Sequence, residues 1–274
     1  ISFVNASEMI IRFSKYQGTG NDFILIDNRS VAWRPTGRQV AFLCDRHFGI
    51  GADGLMLLSE KPGVDFGMTY YNSDGRESTM CGNGGRCMTA FAFSRGIAGR
   101  KMHFLACDGE HDSEVIAPPP SAIYWVKLKD TLVEAVYKDG YFLNTGSPHF
   151  VRFVENARET DVFNTGRTLR QDARFAPGGA NIDFVELQGK ELFVRTYEWG
   201  VENEKLSCGT GVTAAVITAA TLDPGHASRY RVHTPGGDLE VCFTRAGDRF
   251  TDIWLEGEAK MVFEGEMETG SEKV

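Results

Sequence analysis

The chain has 274 residues, 42% hydrophobic and 24% charged, with a formal net charge of −8. That balance suits a globular protein of one large domain or two ordinary ones. The acidic surplus argues against general affinity for nucleic acid or anionic lipid, and no apolar run approaches the roughly 20 residues of a membrane span.

Residues 1–8 lack a basic stretch followed by a long apolar core, so they do not read as a secretory signal; Met9 is a candidate native start. Short strands dominate the rest of the chain. Alternating or β-rich runs fall at 9–13, 23–27, 66–71, 102–106, 123–128, 132–137, 150–154, 182–187, 192–197, 229–233, 239–243 and 252–255. Three segments read as helices, at 39–46, 84–94 and 211–222. The last is apolar nearly all round yet too short for a membrane, so it belongs inside the protein. Asp223-Pro224-Gly225 stops it. The expected fold class is α+β, with sheet wrapped around a central helix. Strands, a cysteine motif, a helix and more strands occur twice. This predicts two similar halves, 1–121 and 122–261, with 262–274 free to rejoin the first. Ala117-Pro118-Pro119-Pro120 is the expected linker, because three prolines block both helix and interior strand. Residues 269–274 are polar and expected to fray.

Six cysteines, Cys44, Cys81, Cys87, Cys107, Cys208 and Cys242, are too sparse for a disulfide scaffold. No C-x-x-C pair suggests structural zinc. Free thiols in a reducing cytoplasm are expected. Two cysteines open matching patterns, Cys81-Gly82-Asn83-Gly84 and Cys208-Gly209-Thr210-Gly211, each running into a helix. A thiol there sits among unsatisfied backbone N–H groups, which favour thiolate and also attract a carboxylate. Two such units facing one carbon could remove a proton from one face and return one to the other. With a reference pKa of about 8.5, modest tuning leaves one thiolate and one thiol. No metal or pyridoxal cofactor is then required. A lone cysteine is more often a small buried apolar residue, which is the reading for Cys44, Cys87, Cys107 and Cys242. Two copies in matching contexts weigh against coincidence for Cys81 and Cys208.

Other motifs extend the pattern in order along the chain. They are Phe13-Ser14-Lys15-Tyr16-Gln17-Gly18-Thr19-Gly20-Asn21-Asp22-Phe23, Asp45-Arg46-His47-Phe48-Gly49-Ile50-Gly51-Ala52-Asp53-Gly54, Tyr71-Asn72-Ser73-Asp74-Gly75, Gly146-Ser147-Pro148-His149, Ala180-Asn181-Ile182, Tyr197-Glu198 and Thr234-Pro235-Gly236-Gly237. With the two cysteine motifs, which extend to Met80-Cys81-Gly82-Asn83-Gly84-Gly85-Arg86-Cys87 and Ser207-Cys208-Gly209-Thr210-Gly211, the chain resembles the diaminopimelate epimerase family. The resemblance implies two pseudo-symmetric halves, each a mixed β-barrel around a central helix, and a homodimer. It implies a cofactor-free interconversion of LL- and meso-2,6-diaminopimelate, a late step toward lysine and peptidoglycan. By resemblance, Cys81 and Cys208 are the acid/base pair. The N–H groups of Gly82, Asn83, Gly209 and Thr210 hold the reacting carboxylate. Asn21, Asn72 and Asn181 hold the distal end of the substrate, Glu198 neutralises an ammonium, and His149 supports the thiols. Taken singly, each Asn reads as a turn former, Glu198 as a solvated strand end and His149 as a surface or packing residue.

Three positions depart from the family pattern. Trp199 stands where an arginine pairs the distal carboxylate, and it has no charge or bidentate fork to offer. Its backbone carbonyl remains free to accept from an ammonium. Ser147 replaces a common Asn but keeps a hydrogen-bonding group, and Gly54 replaces a glutamine found in some members. The alternative expectation is a racemase of another amino acid on the same scaffold. A cysteine hydrolase with Cys208 or Cys81 as nucleophile and His149 as base is a further alternative, but it does not explain why the motif occurs twice; another is a binding protein that lost activity along with the arginine.

Overall fold

The computed structural model describes residues 10–223 and 227–268. The expectations for residues 1–9, for Pro224 and Gly225 as a helix stop, and for a frayed 269–274 lie outside the described residues.

The first half begins with a hairpin. Strand Ile10–Gly18 pairs antiparallel with Asn21–Asp27, Gly18 opposite Asn21. The two turn residues, Thr19 and Gly20, have φ of 48° and 83°, the conformation that suits the twist of a two-residue hairpin. Thr19 is a costly choice there. Its hydroxyl sits 2.7 Å from Ser207 Oγ and 3.2 Å from Arg86 Nη2, contacts that fix the turn.

From there the halves share one plan. Asn21–Asp27 runs parallel to Gly54–Ser59. Parallel neighbours need a crossover, and this one carries α1 (Gly37–Cys44), begun by a capping box between Thr36 and Gln39. Phe66–Asn72 returns antiparallel, then lies parallel to Lys101–Ala106; that crossover carries α2 (Gly82–Ser94). The second half repeats the scheme. Pro148–Phe153 is parallel to Asn181–Gln188 across α3 (Val162–Arg170), and Glu191–Glu198 is parallel to Arg229–Thr234 across α4 (Gly209–Leu222). Both cysteine motifs therefore stand at the same point of the same crossover.

Two strands join the halves. Ile123–Leu128 pairs with Gly109–Ala117 on one edge and with Arg249–Glu258 on the other. Lys260–Glu268 returns from the second half to pair with Ile10–Gly18.

The central helices carry much of the hydrophobic burial. In α4, Val212, Val216 and Ile217 have no exposure, and each contributes about 1.5–3 kcal/mol by burial. Its buried hydroxyls are satisfied by the helix itself: Thr213 donates to Gly209 O at 2.9 Å and Thr218 to Ala214 O at 2.8 Å.

Several elements differ from the sequence reading. The run 132–137 splits into Thr131–Leu132, paired with Arg249 and Phe250, and Ala135–Tyr137, paired with Gly140–Asn144, because the chain changes partner between them. Gly54–Ser59 is a strand with five of its six residues buried, so it shows no alternation. Gly109–Ala117 turns His111 and Ser113 inward, which disguises its pattern. α3 is polar and carries Gly166 mid-helix, a poor helix signal. That glycine is required by packing: a Cβ there would lie 2.5 Å from Tyr197 Cβ. Gly166→Ala should cost about 1–3 kcal/mol in urea unfolding. Gly99→Ala, which meets open space, should be near neutral; equal losses in the two variants would contradict this packing.

Candidate active site

The N-terminal ends of α2 and α4 meet. A Cβ built on Gly209 would lie 3.4 Å from Gly82 Cα, and a Cβ on either glycine would lie 2.8 Å from the same Leu255 Cδ2. A side chain at either position would have to displace that Leu255 methyl. Cys81 and Cys208 are the residues immediately before these glycines, and both are partly exposed.

Around Cys81 the first half supplies amides. Its Sγ lies 3.8 Å from Asn21 Oδ1. Asn83 Nδ2 donates to Ser207 Oγ at 3.0 Å and to Asn21 Oδ1 at 3.4 Å, so the residue two after one cysteine is tied to the residue before the other. Arg86, Thr19 and Ser207 complete this buried cluster.

Around Cys208 the second half supplies a hydroxyl, an imidazole and a carboxylate. Cys208 Sγ is 3.4 Å from Thr210 Oγ1, which is 2.9 Å from His149 Nε2. His149 Nδ1 is 2.7 Å from Asp183 Oδ2, and Thr196 donates to Asp183 Oδ1 at 2.7 Å. His149 and Asp183 are fully buried. The strand alternation that places Ile182 and Phe184 in one layer puts Asp183 on the opposite face, toward α4. Ser147 Oγ lies 2.9 Å from His149 Nε2 and 3.1 Å from Thr210 Oγ1. Asn181 Nδ2 donates to Ser147 Oγ and to Pro148 O, while its Oδ1 accepts the Trp199 backbone N–H at 2.8 Å. Trp199 as a whole is 43% exposed.

A rim of charge surrounds this. Asp53 accepts from Asn21 Nδ2 and pairs with Lys205 and Arg46, each at 3.0 Å. Asn72 ends its strand beside it: Ser73 N–H donates to Asp53 O. The structure thus brings together Asn21, Gly82, Asn83, Ser147, His149, Asn181, Glu198, Gly209 and Thr210 around the thiols, with Asn72 and Trp199 at the margin. Arg86, Asp183, Asp53, Lys205, Thr19 and Ser207 belong to the same networks. No role is legible for them in the sequence, although Arg86, Asp53, Thr19 and Ser207 lie inside the motifs.

The electrostatics correct one expectation. Helix ends by themselves lower a thiol, but both thiols here are raised. Burial pushes the Cys81 thiol up, and the backbone N–H groups of Gly84 and Asn83 only partly oppose it. Burial pushes Cys208 well up, with the Glu198 and Asp183 carboxylates adding to it. Glu198 is the carboxylate that acts on both thiols, and burial raises it too, with Lys205 in opposition. A second correction concerns Cys107. It is exposed, in the turn after Lys101–Ala106, where its thiol donates to Ser78 O. Cys44 and Cys87 are buried, as expected.

Among the described residues no three His, Cys, Asp or Glu side chains gather as a metal site, and no helix is long and apolar enough to cross a membrane. A cavity of about 890 Å³ between Tyr137, Arg152, Glu186 and Tyr230 includes none of the thiol site.

Solved structures share this two-helix, two-half fold. A PhzF-family phenazine biosynthesis protein from Bacillus anthracis superposes with a TM-score of 0.73 at 15% identity, covering 94% of this chain and 99% of that one. A hydroxyproline epimerase from Agrobacterium vitis, solved with bound trans-4-hydroxy-L-proline, gives 0.69 at 12% identity, covering 96% and 94%. The sequence is more specific. The family model for diaminopimelate epimerase matches residues 13–117 and 141–262. Diaminopimelate epimerases from Flavobacterium psychrophilum and Chlorobaculum tepidum are 44% and 38% identical, covering 93% and 90% of this chain and 99% and 98% of theirs. The chain belongs to the diaminopimelate epimerase family, whose members are isomerases.

Two measurements test the site's electrostatics. Asp183→Ala leaves His149 without its carboxylate in a dry site and should cost about 3–5 kcal/mol in urea unfolding; a loss below about 1 kcal/mol would show that the pair is not buried as described. Burial pushes Asp22 up, but hydrogen bonds from Arg46 and Lys15 outweigh it and bring it from 3.8 to about 2. Its stabilisation is therefore present above about pH 4 and lost as pH falls through about 2. The full shift converts to roughly 2 kcal/mol, about half of that after solvent screening. Asp22→Asn should flatten the acid limb of a stability–pH curve by that amount.

Proposed function

We propose that the chain inverts the α-carbon of LL-2,6-diaminopimelate to the meso form, using Cys81 and Cys208 as a two-thiol acid/base pair, in lysine biosynthesis. The observation that carries this reading is the close approach of the first helical glycines, Gly82 and Gly209, which brings together the two helix starts that follow Cys81 and Cys208.

The chemistry follows from that geometry. The substrate α-carboxylate is held by the N–H groups of Gly82, Asn83, Gly209 and Thr210, at the positive ends of two helices. The α-ammonium meets Glu198. One thiolate removes the α-hydrogen as a proton, and the C–H electron pair is delocalised into the carboxylate. Charge then grows where the N–H groups already point, which stabilises the transition state more than the ground state. The opposite thiol delivers its proton to the other face of the carbon. The first cysteine ends as thiol and the second as thiolate, so the reverse direction uses the same pair with roles exchanged. The burial that raises both thiols makes each a stronger base when ionised, and the substrate α-ammonium supplies the countering charge.

Trp199 favours a second reading for the distal end alone. An exposed indole gives methylene-chain contact but no charge for a carboxylate, so another amino acid could be the preferred substrate on unchanged inversion chemistry.

Exchange of the α-hydrogen with solvent deuterium, measured without added cofactor on diaminopimelate and a panel of amino acids, tests both readings. Wild type should exchange diaminopimelate fastest, and Cys81→Ala and Cys208→Ala should each lose about 10²–10⁴-fold in epimerisation. Undiminished epimerisation in either variant would end the two-thiol mechanism. Faster turnover of another amino acid, together with a large gain for diaminopimelate in Trp199→Arg, would move the substrate assignment.

A further inference from the structure

Arg86 is the unusual charge in this molecule. It has no exposure, and it lies one turn beyond the cysteine end of α2. Its guanidinium donates only to neutral oxygens: Asn83 Oδ1 at 2.9 Å, Thr19 Oγ1 at 3.2 Å and Gly82 O at 3.4 Å. Its Nε has no partner, and among the described residues no carboxylate forms an ion pair with it. The groups that favour its charge are the thiols Cys87 and Cys81. Burial pulls it down to about 10, so it is still a cation at neutral pH.

The site is built to hold it. A Cβ on Gly257 would lie 3.0 Å from Arg86 Nε, and one on Gly18 would lie 3.4 Å from Nη2. Gly257 thus leaves room for the guanidinium from the second half, and Gly18 borders it from the first. A buried charge without an opposite charge is costly, and a residue kept there at such cost has an anion to meet. Two anions form at this end of α2 during the proposed reaction: the Cys81 thiolate and the carboxylate on the N–H groups of Gly82 and Asn83.

The other helix lacks this feature. The matching position of α4 is Thr213, whose hydroxyl only returns to Gly209 O. The buried charge beside Cys208 is the Asp183 carboxylate, reached through Thr210 and His149. One thiol is backed by a cation and the other by an anion–imidazole pair.

We propose that Arg86 is a positioning residue that supplies fixed positive charge to the end of α2, and that it makes Cys81, not Cys208, the thiol that ionises first. Glu198 and Tyr70 face Cys81 from their strands, and Cys87 adjoins Arg86 on α2; all are neutral or negative, so the ordering depends on the guanidinium. The inference rests on the reading of Cys81 and Cys208 as the reacting pair. Its test uses no substrate, so its failure is distinct from failure of that reading.

The test is the pH dependence of iodoacetamide alkylation, followed separately at Cys81 and Cys208 by peptide mass spectrometry. Midpoints are compared, not absolute rates, so unequal access does not matter. In wild type the Cys81 midpoint should lie at least about one pH unit below that of Cys208, a tenfold difference in thiolate fraction at lower pH. Arg86→Met should move the Cys81 midpoint up by about one unit or more and leave Cys208 in place; Arg86→Lys, which keeps the charge, should restore the gap. If Arg86→Met does not fold, Arg86→Gln keeps size and hydrogen bonding without charge and replaces it. A wild type in which Cys208 ionises first would overturn the proposal. So would neutral variants that shift both midpoints equally or neither, since a purely structural arginine predicts no selective change at Cys81.

Discussion

The contact between two helix ends governs this molecule. A Cβ on Gly209 would touch Gly82 Cα, and a Cβ on either glycine would press on the same Leu255 methyl. Everything else holds that contact in place. Each helix runs down the middle of its half, buried on all sides. The strand Ile123–Leu128 and the returning strand Lys260–Glu268 lock the halves together. Side chains reinforce the join at the site itself, where Asn83 reaches Ser207 and Thr19 faces the same hydroxyl.

The electrostatics depend on burial more than on helix ends. A helix N-terminus contributes a fraction of a charge, while desolvation of a thiolate in a dry cleft acts on the whole charge. Without a bound carboxylate and ammonium, the second effect wins, and both thiols rest high. Glu198 is raised for the same reason. The site is therefore short of positive charge, and an α-ammonium brought in by substrate answers both thiols and Glu198 at once. Within that shortage, Arg86 behind one thiol and Asp183 behind the other make the two chemically unequal, although the backbone around them repeats.

The repeat was legible in the sequence because it is local. Cys-Gly-x-Gly before a helix can be read twice, and an apolar helix bounded by strands can be read as central. Asn21, Asn181, His149 and Glu198 were legible only jointly, through spaced motifs that resemble one family. Strands buried on both faces, such as Gly54–Ser59, and strands with inward polar residues, such as Gly109–Ala117, were hidden because alternation is the signal and they lack it. α3 was hidden because its glycine answers to Tyr197, a residue far along the chain.

The sequence by itself determined the chemistry available: two thiols at helix starts, glycines beside them, amides and a carboxylate in fixed order, and a tryptophan where a cation was expected. The first of those are properties of residue type and spacing; the expected cation is what the family resemblance implies. The tertiary structure decided what the chemistry is set against. It put Arg86 in a cradle of glycines from both halves, seated Asp183 behind His149, tied Lys205 to Asp53 across the rim, and raised thiols that the local pattern would lower. Desolvation and the pairing of buried charge depend on every neighbour within several ångströms, and those neighbours come from strands dozens to hundreds of residues apart.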